Sequence, residues 1–160
     1  MPAPPPANPT TTETPEEAYA RLHPRLVEVA YLLMFDWAGA QDVVQDAFAA
    51  AIPRWSGIED PAAYLRRSVT HGAYRAARDR KRRTEKHGRA AAGLGDHVDR
   101  IDLIIDQIRD LPAKERAVVV LRFYLDLPIA EIADQLQMRQ GSVGPTLTRA
   151  LRRLEGGLPA

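Results

Sequence analysis

Apolar residues recur along most of this chain at intervals of three and four, the spacing that builds one face of a helix. From Glu16 the series is Leu22, Leu26, Val29 or Ala30, and Leu33, with Pro24 either opening the helix or bending it. Gly39 reads as the break before a second helix. Its stripe is Val43, Val44, Ala47, Phe48, Ala51, Ile52 and Trp55, with Asp42, Gln45 and Asp46 on the other side and Pro53 interrupting its end. The turn SGIEDP then introduces a third helix, with Asp60 as N-cap and Pro61 at the first helical position, predicted to run to about residue 83. Its apolar face is thin: Leu65, Val69, Ala73 and Ala76 or Ala77 turn inward. Two more helices are predicted over residues 101–109 and 112–124, the latter with Val118, Leu121 and Leu125 inside. Residues 128–154 have the rhythm of a helix-turn-helix, with Ala133 at the tight crossing. No strand signal and no internal repeat interrupts this pattern, so the fold class is all-α.

The helical pattern is bounded by two segments with little to bury. Residues 1–15 contain six prolines and a threonine cluster and read as a disordered tail. Residues 84–100 mix Gly, Ala and charge without a sustained stripe and read as a flexible linker, able to reach about 55 Å when extended. The expected organisation is two small helical domains, at 16–83 and 101–157.

Charge sharpens this picture. The formal net charge of +1 conceals a segregation. Residues 1–63 carry 3 basic and 9 acidic side chains, residues 64–89 carry 10 and 2, and residues 90–160 carry 9 and 10. The stretch YLRRSVTHGAYRAARDRKRR at 64–83 is the basic centre, and such a run on a helix fits a polyanionic partner. With no cysteine there is no disulfide, thiol chemistry or cysteine-based zinc cluster, which fits a reducing cytoplasm. His23, His71, His87 and His97 are scattered, so no metal site is expected. No cofactor-binding motif, carboxylate pair, Ser-His arrangement or phosphate-binding glycine loop stands in a plausible position, which argues against an enzyme. The N-terminus lacks the basic and apolar regions of a signal peptide, and no segment is long and apolar enough for a membrane span.

Five motifs taken together resemble one known family. They are AYLL followed by AQDVVQDAF and Trp55, DPAAYLRR with its basic tail, LPAKERAVVVLRFYLDLPIAEIADQL, and TLTRALRRL, spanning about residues 17–155. In order and spacing the chain resembles a bacterial sigma factor of the extracytoplasmic-function group, within the sigma-70 family. The resemblance implies a region 2 three-helix domain and a region 4 helix-turn-helix domain. It further implies that Asp42, Gln45 and Asp46, in the family's Asp-x-x-Gln-acid pattern, bind core RNA polymerase through its beta and beta-prime subunits. Promoter DNA is the second partner. Its −10 element would be engaged by Trp55, Ser56, Arg66, Arg67, His71, Arg75, Arg78, Arg80, Arg82 and Arg83. The −35 element would be read in the major groove by Arg139, Gln140, Ser142, Thr146, Arg149 and Arg153. The family also implies control by an anti-sigma factor.

Departures from the family pattern matter. His71 and Arg75 stand where Asn and Asp are usual, and Gly72 beside them weakens the helix locally. Gln137 stands where Gly commonly closes the first helix of the helix-turn-helix. Gly144 and Pro145 replace Lys and Ser in the recognition helix. A start near Gln140 would place Pro145 in the second turn, against the Gly141 carbonyl, so Ser142 is the expected N-cap. That helix would present Ser142, Thr146, Arg149 and Arg153 along one face and turn Val143, Leu147, Ala150, Leu151 and Leu154 to the core. Two other readings compete: a dimeric helix-turn-helix regulator, and a sigma-like protein that acts through protein contacts alone.

Overall fold

The computed structural model describes residues 12–83 and 102–157, the backbone alone for 81–83, 102–104 and 157. Every regular element within them is helical, as the apolar spacing requires. Helix α1, Pro15–Met34, opens with a capping box: the Thr14 hydroxyl accepts from the Glu17 amide, and the Glu17 carboxylate accepts from the Thr14 amide. Glu13 pairs with Arg21 at 2.8 Å, so residues 13–15, expected in the tail, belong to the fold. Pro24 lies inside α1 and does not open it.

Helix α2, Trp37–Ala51, starts two residues before Gly39. The expected break is instead a position in the first turn, where the Gly39 amide donates to the Asp36 N-cap at 3.1 Å. A β-carbon there would lie 2.6 Å from Asp36 Oδ2 and 2.8 Å from Met34 Cε, so glycine serves a close approach. A 3₁₀ turn at Ile52–Gly57 follows, begun by Pro53, and leaves Ile52 exposed although it continues the apolar stripe. Helix α3, Pro61–Arg83, begins as expected, with Asp60 Oδ1 accepting from the Ala63 amide at 3.2 Å. These three helices enclose Val29, Leu33, Val44, Phe48, Leu65 and Val69 in one core. Full burial of a side chain of this size stabilises by about 1.5–3 kcal/mol, which fixes the faces against weaker local preferences.

The second half consists of α4 (Asp102–Arg109), α5 (Ala113–Val119) with a π-helical turn at Val120–Tyr124, α6 (Ile129–Leu136) and α7 (Gln140–Gly157). Val118, Leu121, Ile132, Val143 and Ala150 are its fully buried centre. Helix α6 closes on Gln137 in the left-handed conformation at φ 54°, the place glycine usually fills.

The two halves pack against each other, with α3 contacting both α5 and α6. Tyr124 donates to Glu28 at 2.6 Å while Arg25 lies 4.9 Å over the Tyr124 ring. Arg116 of α5 donates from Nε to the Leu33 carbonyl at the end of α1 and from Nη1 to the Arg109 carbonyl, both at 3.1 Å. Burial, helped by the nearby charge of Arg80, holds the Arg116 guanidinium down to about 10.

Candidate nucleic-acid and partner interface

Asp42, Gln45 and Asp46 project from α2 on the side away from Val44, Ala47 and Phe48, and all three are exposed. Gln45 is oriented by the Tyr19 hydroxyl, which accepts from its amide nitrogen at 2.7 Å. Beside it runs an open groove lined by Pro15, Glu16, Tyr19, Phe48, Ala49 and Ile52. A polar row next to an exposed isoleucine is suited to a protein partner, since an apolar anchor supplies affinity and the polar groups supply register. Ile52 fits the core stripe by its spacing, yet it is exposed where α2 gives way to the 3₁₀ turn.

The basic helix α3 is divided by its packing. Leu65, Val69, Thr70, Ala73 and Tyr74 are buried, and Arg67, Arg75, Arg78 and Arg80 are exposed. Arg78 lies 5.5 Å over the Tyr74 ring, and Arg80 is 3.5 Å from Asp36. Arg66 is half-buried, with an Nε that has no hydrogen-bond partner. Arg82 and Arg83 continue the helix, where the backbone alone is described. Ser56 is exposed in the turn before α3, whereas Trp55 is buried and donates from Nε1 to the Glu13 carbonyl at 2.8 Å. Trp55 therefore shapes the loop from behind. Gly72 is a packing position: a β-carbon there would lie 3.3 Å from Val43 Cγ1, so α3 and α2 approach closely at this point.

The second half covers part of this basic surface. Arg67 forms an ion pair with Asp134 of α6. His71 sits between Arg75, whose Nη2 lies 2.8 Å from its Nε2, and the Gln135 carbonyl, 3.5 Å from its Nδ1. A small cleft at this junction is lined by Arg67, Ser68, His71, Asp134, Gln135 and Gln137. No periodicity in the sequence could have revealed Asp134 and Gln135 as partners of α3, because the pairing joins residues 67 positions apart for Arg67 and 64 for His71.

In the helix-turn-helix, α7 begins at Gln140, contrary to the expected start at Ser142, and carries Pro145 within it. The Ser142 amide instead donates to the Arg139 carbonyl at 2.9 Å. Gly141 and Pro145 lie on the exposed face, so the carbonyl that Pro145 cannot satisfy is open to water. The facing also differs. Thr146 is only 1% exposed and its hydroxyl donates to the Ser142 carbonyl at 2.7 Å, which removes it from the DNA-facing row. Val143, Thr146 and Ala150 form the core stripe, and Leu151, expected inside, is exposed. The outward row is Gly141, Pro145, Thr148 and Arg152, with Arg139, Gln140 and Ser142 exposed at its N-terminal end. Arg149 and Arg153 flank the stripe beside Glu115 of α5.

Among the described residues no three His, Asp or Glu side chains gather where a metal could sit, and no helix is long and apolar enough to cross a membrane.

Residues 18–83 match the family described as Sigma-70 region 2, and residues 101–154 match Sigma-70, region 4. The RNA polymerase sigma-E factor of Streptomyces antibioticus is 36% identical over 149 residues, covering 88% of this chain and 78% of that protein. The sigma-E factor of Streptomyces coelicolor is 36% identical over 143 residues, covering 84% and 80%. The fold is also similar to a chain in the co-crystal structure of the sigma factor RpoE with the anti-sigma factor NepR from Bartonella quintana. That match has a TM-score of 0.63 at 20% identity, over 88% of this chain and 94% of the other.

Proposed function

The chain belongs to the sigma-70 family of RNA polymerase sigma factors, in its extracytoplasmic-function group, and from that premise we propose how its surfaces divide the work of transcription initiation. The exposed row Asp42, Gln45 and Asp46 docks on core polymerase, with Ile52 as its apolar anchor. The arginines of α3 hold the backbone of the −10 element, while Ser56 and His71 lie near the bases that strand separation unstacks. Helix α7 enters the major groove at −35, offering Arg139, Gln140 and Ser142 at its tip and Thr148 and Arg152 along its outward row. Catalysis belongs to the polymerase, and the protein works in the cytoplasm. An anti-sigma partner of the kind crystallised with the Bartonella protein is proposed to hold it in reserve.

The observation that carries this reading is the exposed arginine series of α3, Arg67, Arg75, Arg78 and Arg80, which gathers positive charge along one helix and is suited to phosphates. The test is run-off transcription with purified core polymerase, followed by sequencing of the transcripts. The triple variant Asp42→Ala, Gln45→Ala, Asp46→Ala is expected to weaken core binding at least tenfold, the equivalent of about 1.4 kcal/mol. Its folding stability should change by about 0.5 kcal/mol or less, since all three side chains are exposed. Undiminished core binding by the triple variant would place the docking surface elsewhere.

A further inference from the structure

Glu115 is a buried acid to which the surfaces described above assign no task. It lies in the first turn of α5 and is 6% exposed. Arg149 Nε is 3.7 Å from its Oε1, and Arg153 Nε is 2.9 Å from its Oε2. The Arg153 contact is one of charge and not of hydrogen-bond geometry, for Oε2 accepts no hydrogen bond. A carboxylate this buried is costly unless a cation stays beside it. Either guanidinium can therefore move toward DNA only by leaving part of that charge unanswered.

The arrangement also limits what the arginines can offer. Their side chains are 58% and 60% exposed, so their heads reach solvent at the flank of α7. Arg149 has Nε turned to Glu115 and donates from Nη2 to the Thr146 hydroxyl at 3.3 Å. That hydroxyl is itself fixed on the Ser142 carbonyl. Two of the three guanidinium nitrogens of Arg149 are thus directed at protein groups, which restricts how it can turn to offer the paired contact that reads guanine. With Glu115 ionised, the three side chains together present one positive charge to a duplex in place of two.

We propose that Glu115 is a positioning residue for duplex recognition by α7. Its carboxylate fixes the guanidinium groups of Arg149 and Arg153 in register and lowers their pull on DNA of any sequence, so that discrimination is gained where general affinity is given up. This rests on the reading of α7 as the helix that recognises the −35 element.

The test uses the full chain bound to core polymerase and two labelled duplexes, one recovered by selection from a library randomised at −35 and one scrambled there. Glu115→Gln should bind the scrambled duplex about threefold more tightly and steepen its log-log salt dependence by about 0.9, the release of one further counterion. Its preference for the selected duplex should fall about threefold in the same titrations, the mark of lost register. Glu115→Asp keeps the charge but cannot span both guanidinium groups. It should lose preference without gaining affinity for the scrambled duplex, and should the Gln variant fail to fold it still reports the loss of register, an unchanged preference overturning the proposal. In the background Arg149→Ala, Arg153→Ala, Glu115→Gln should change nothing further. An equal gain on both duplexes, or an effect of Glu115→Gln that persists without the two arginines, would overturn the proposal. Should Arg149→Ala, Arg153→Ala itself bind the selected duplex normally, these flanking arginines make no −35 contact and the proposal falls with them, while run-off transcription still tests the wider reading separately.

Discussion

Gly39 and Gly72 look alike in the sequence, as interruptions of a helical pattern, and both prove to be places where one helix comes close to another group. They differ in how much room is left. At 39 the neighbours of an added methyl are the Asp36 carboxylate that caps α2 and the Met34 terminus, both under 3.0 Å. At 72 the neighbour is one methyl of Val43 at 3.3 Å, which a few tenths of an ångström would relieve. Gly39→Ala is therefore expected to displace the cap and cost about 1–2 kcal/mol. Gly72→Ala should be neutral or gain up to about 1 kcal/mol from helix propensity. Urea denaturation of the two variants would compare them directly, and equal effects would contradict this account. Gln137 presents the converse case: a side chain occupies a left-handed position, φ 54°, that glycine would fill without strain. Gln137→Gly should raise stability by roughly 0.5–1 kcal/mol, read as a higher denaturation midpoint with an unchanged slope.

Among the elements, α7 departs most from its expected form. Its start at Gln140 leaves only residues 137–139 between it and α6. A start at Ser142 would have lengthened that turn, although Val143 must still reach the centre of the core. A proline inside a helix costs about 3 kcal/mol even at an exposed position such as Pro145, so the start at Gln140 is held by the burial of Val143, Thr146 and Ala150. Gly144 has open space where its β-carbon would be. Gly144→Lys should therefore stabilise α7 by about 1 kcal/mol. It should also steepen the salt dependence of promoter binding by about 0.9 per added phosphate contact. A stabler helix with an unaltered salt slope would mean that this turn of α7 lies off the duplex.

The pattern of what the sequence disclosed follows from range. The Asp60 cap, the stripe of α2 and the αL turn at Gln137 depend on neighbours within four residues, and each is readable by periodicity or cap chemistry. The capping box at Thr14 was equally readable, as Thr, Pro and Glu at the right offsets, but the proline content around it disguised it as tail. What could not be read were side chains whose roles depend on another element. Thr146 is buried on a helix that packs against α5 and α6, Ile52 is exposed where α2 gives way to the 3₁₀ turn, and Glu115 pairs with arginines 34 and 38 residues downstream.

At the scale of the whole molecule, the two halves are closed on each other through contacts that involve the −10 helix. Arg67 is engaged by Asp134 and His71 by the Gln135 carbonyl, so two groups assigned to DNA are turned toward α6 in this arrangement. Both partners of the Arg67 pair are well exposed, and such a pair contributes at most about 1 kcal/mol. That pair alone therefore holds the closed form only lightly, and closure rests mainly on the Tyr124–Glu28 and Arg116–Leu33 bonds and on the packing of α3 against α5 and α6. Asp134→Arg places like charges together and should shift the free protein toward a larger radius of gyration in small-angle scattering. It should also let α3 bind single-stranded −10 DNA more readily without polymerase. A scattering profile identical to that of the unaltered protein would show that this pair has no part in closure.

The bond from Arg116 to the Leu33 carbonyl has one more consequence. Helices are ordinarily finished by the residues that follow them, yet the last turn of α1 is finished by a group 83 residues further along the chain. When the halves part, that turn loses its donor and its amides, including Phe35 N–H on the Tyr31 carbonyl, become free to fray. Hydrogen exchange at the end of α1 is therefore an internal gauge of closure: without any label attached, the rate at a handful of amides measures how often the two halves of the molecule come apart.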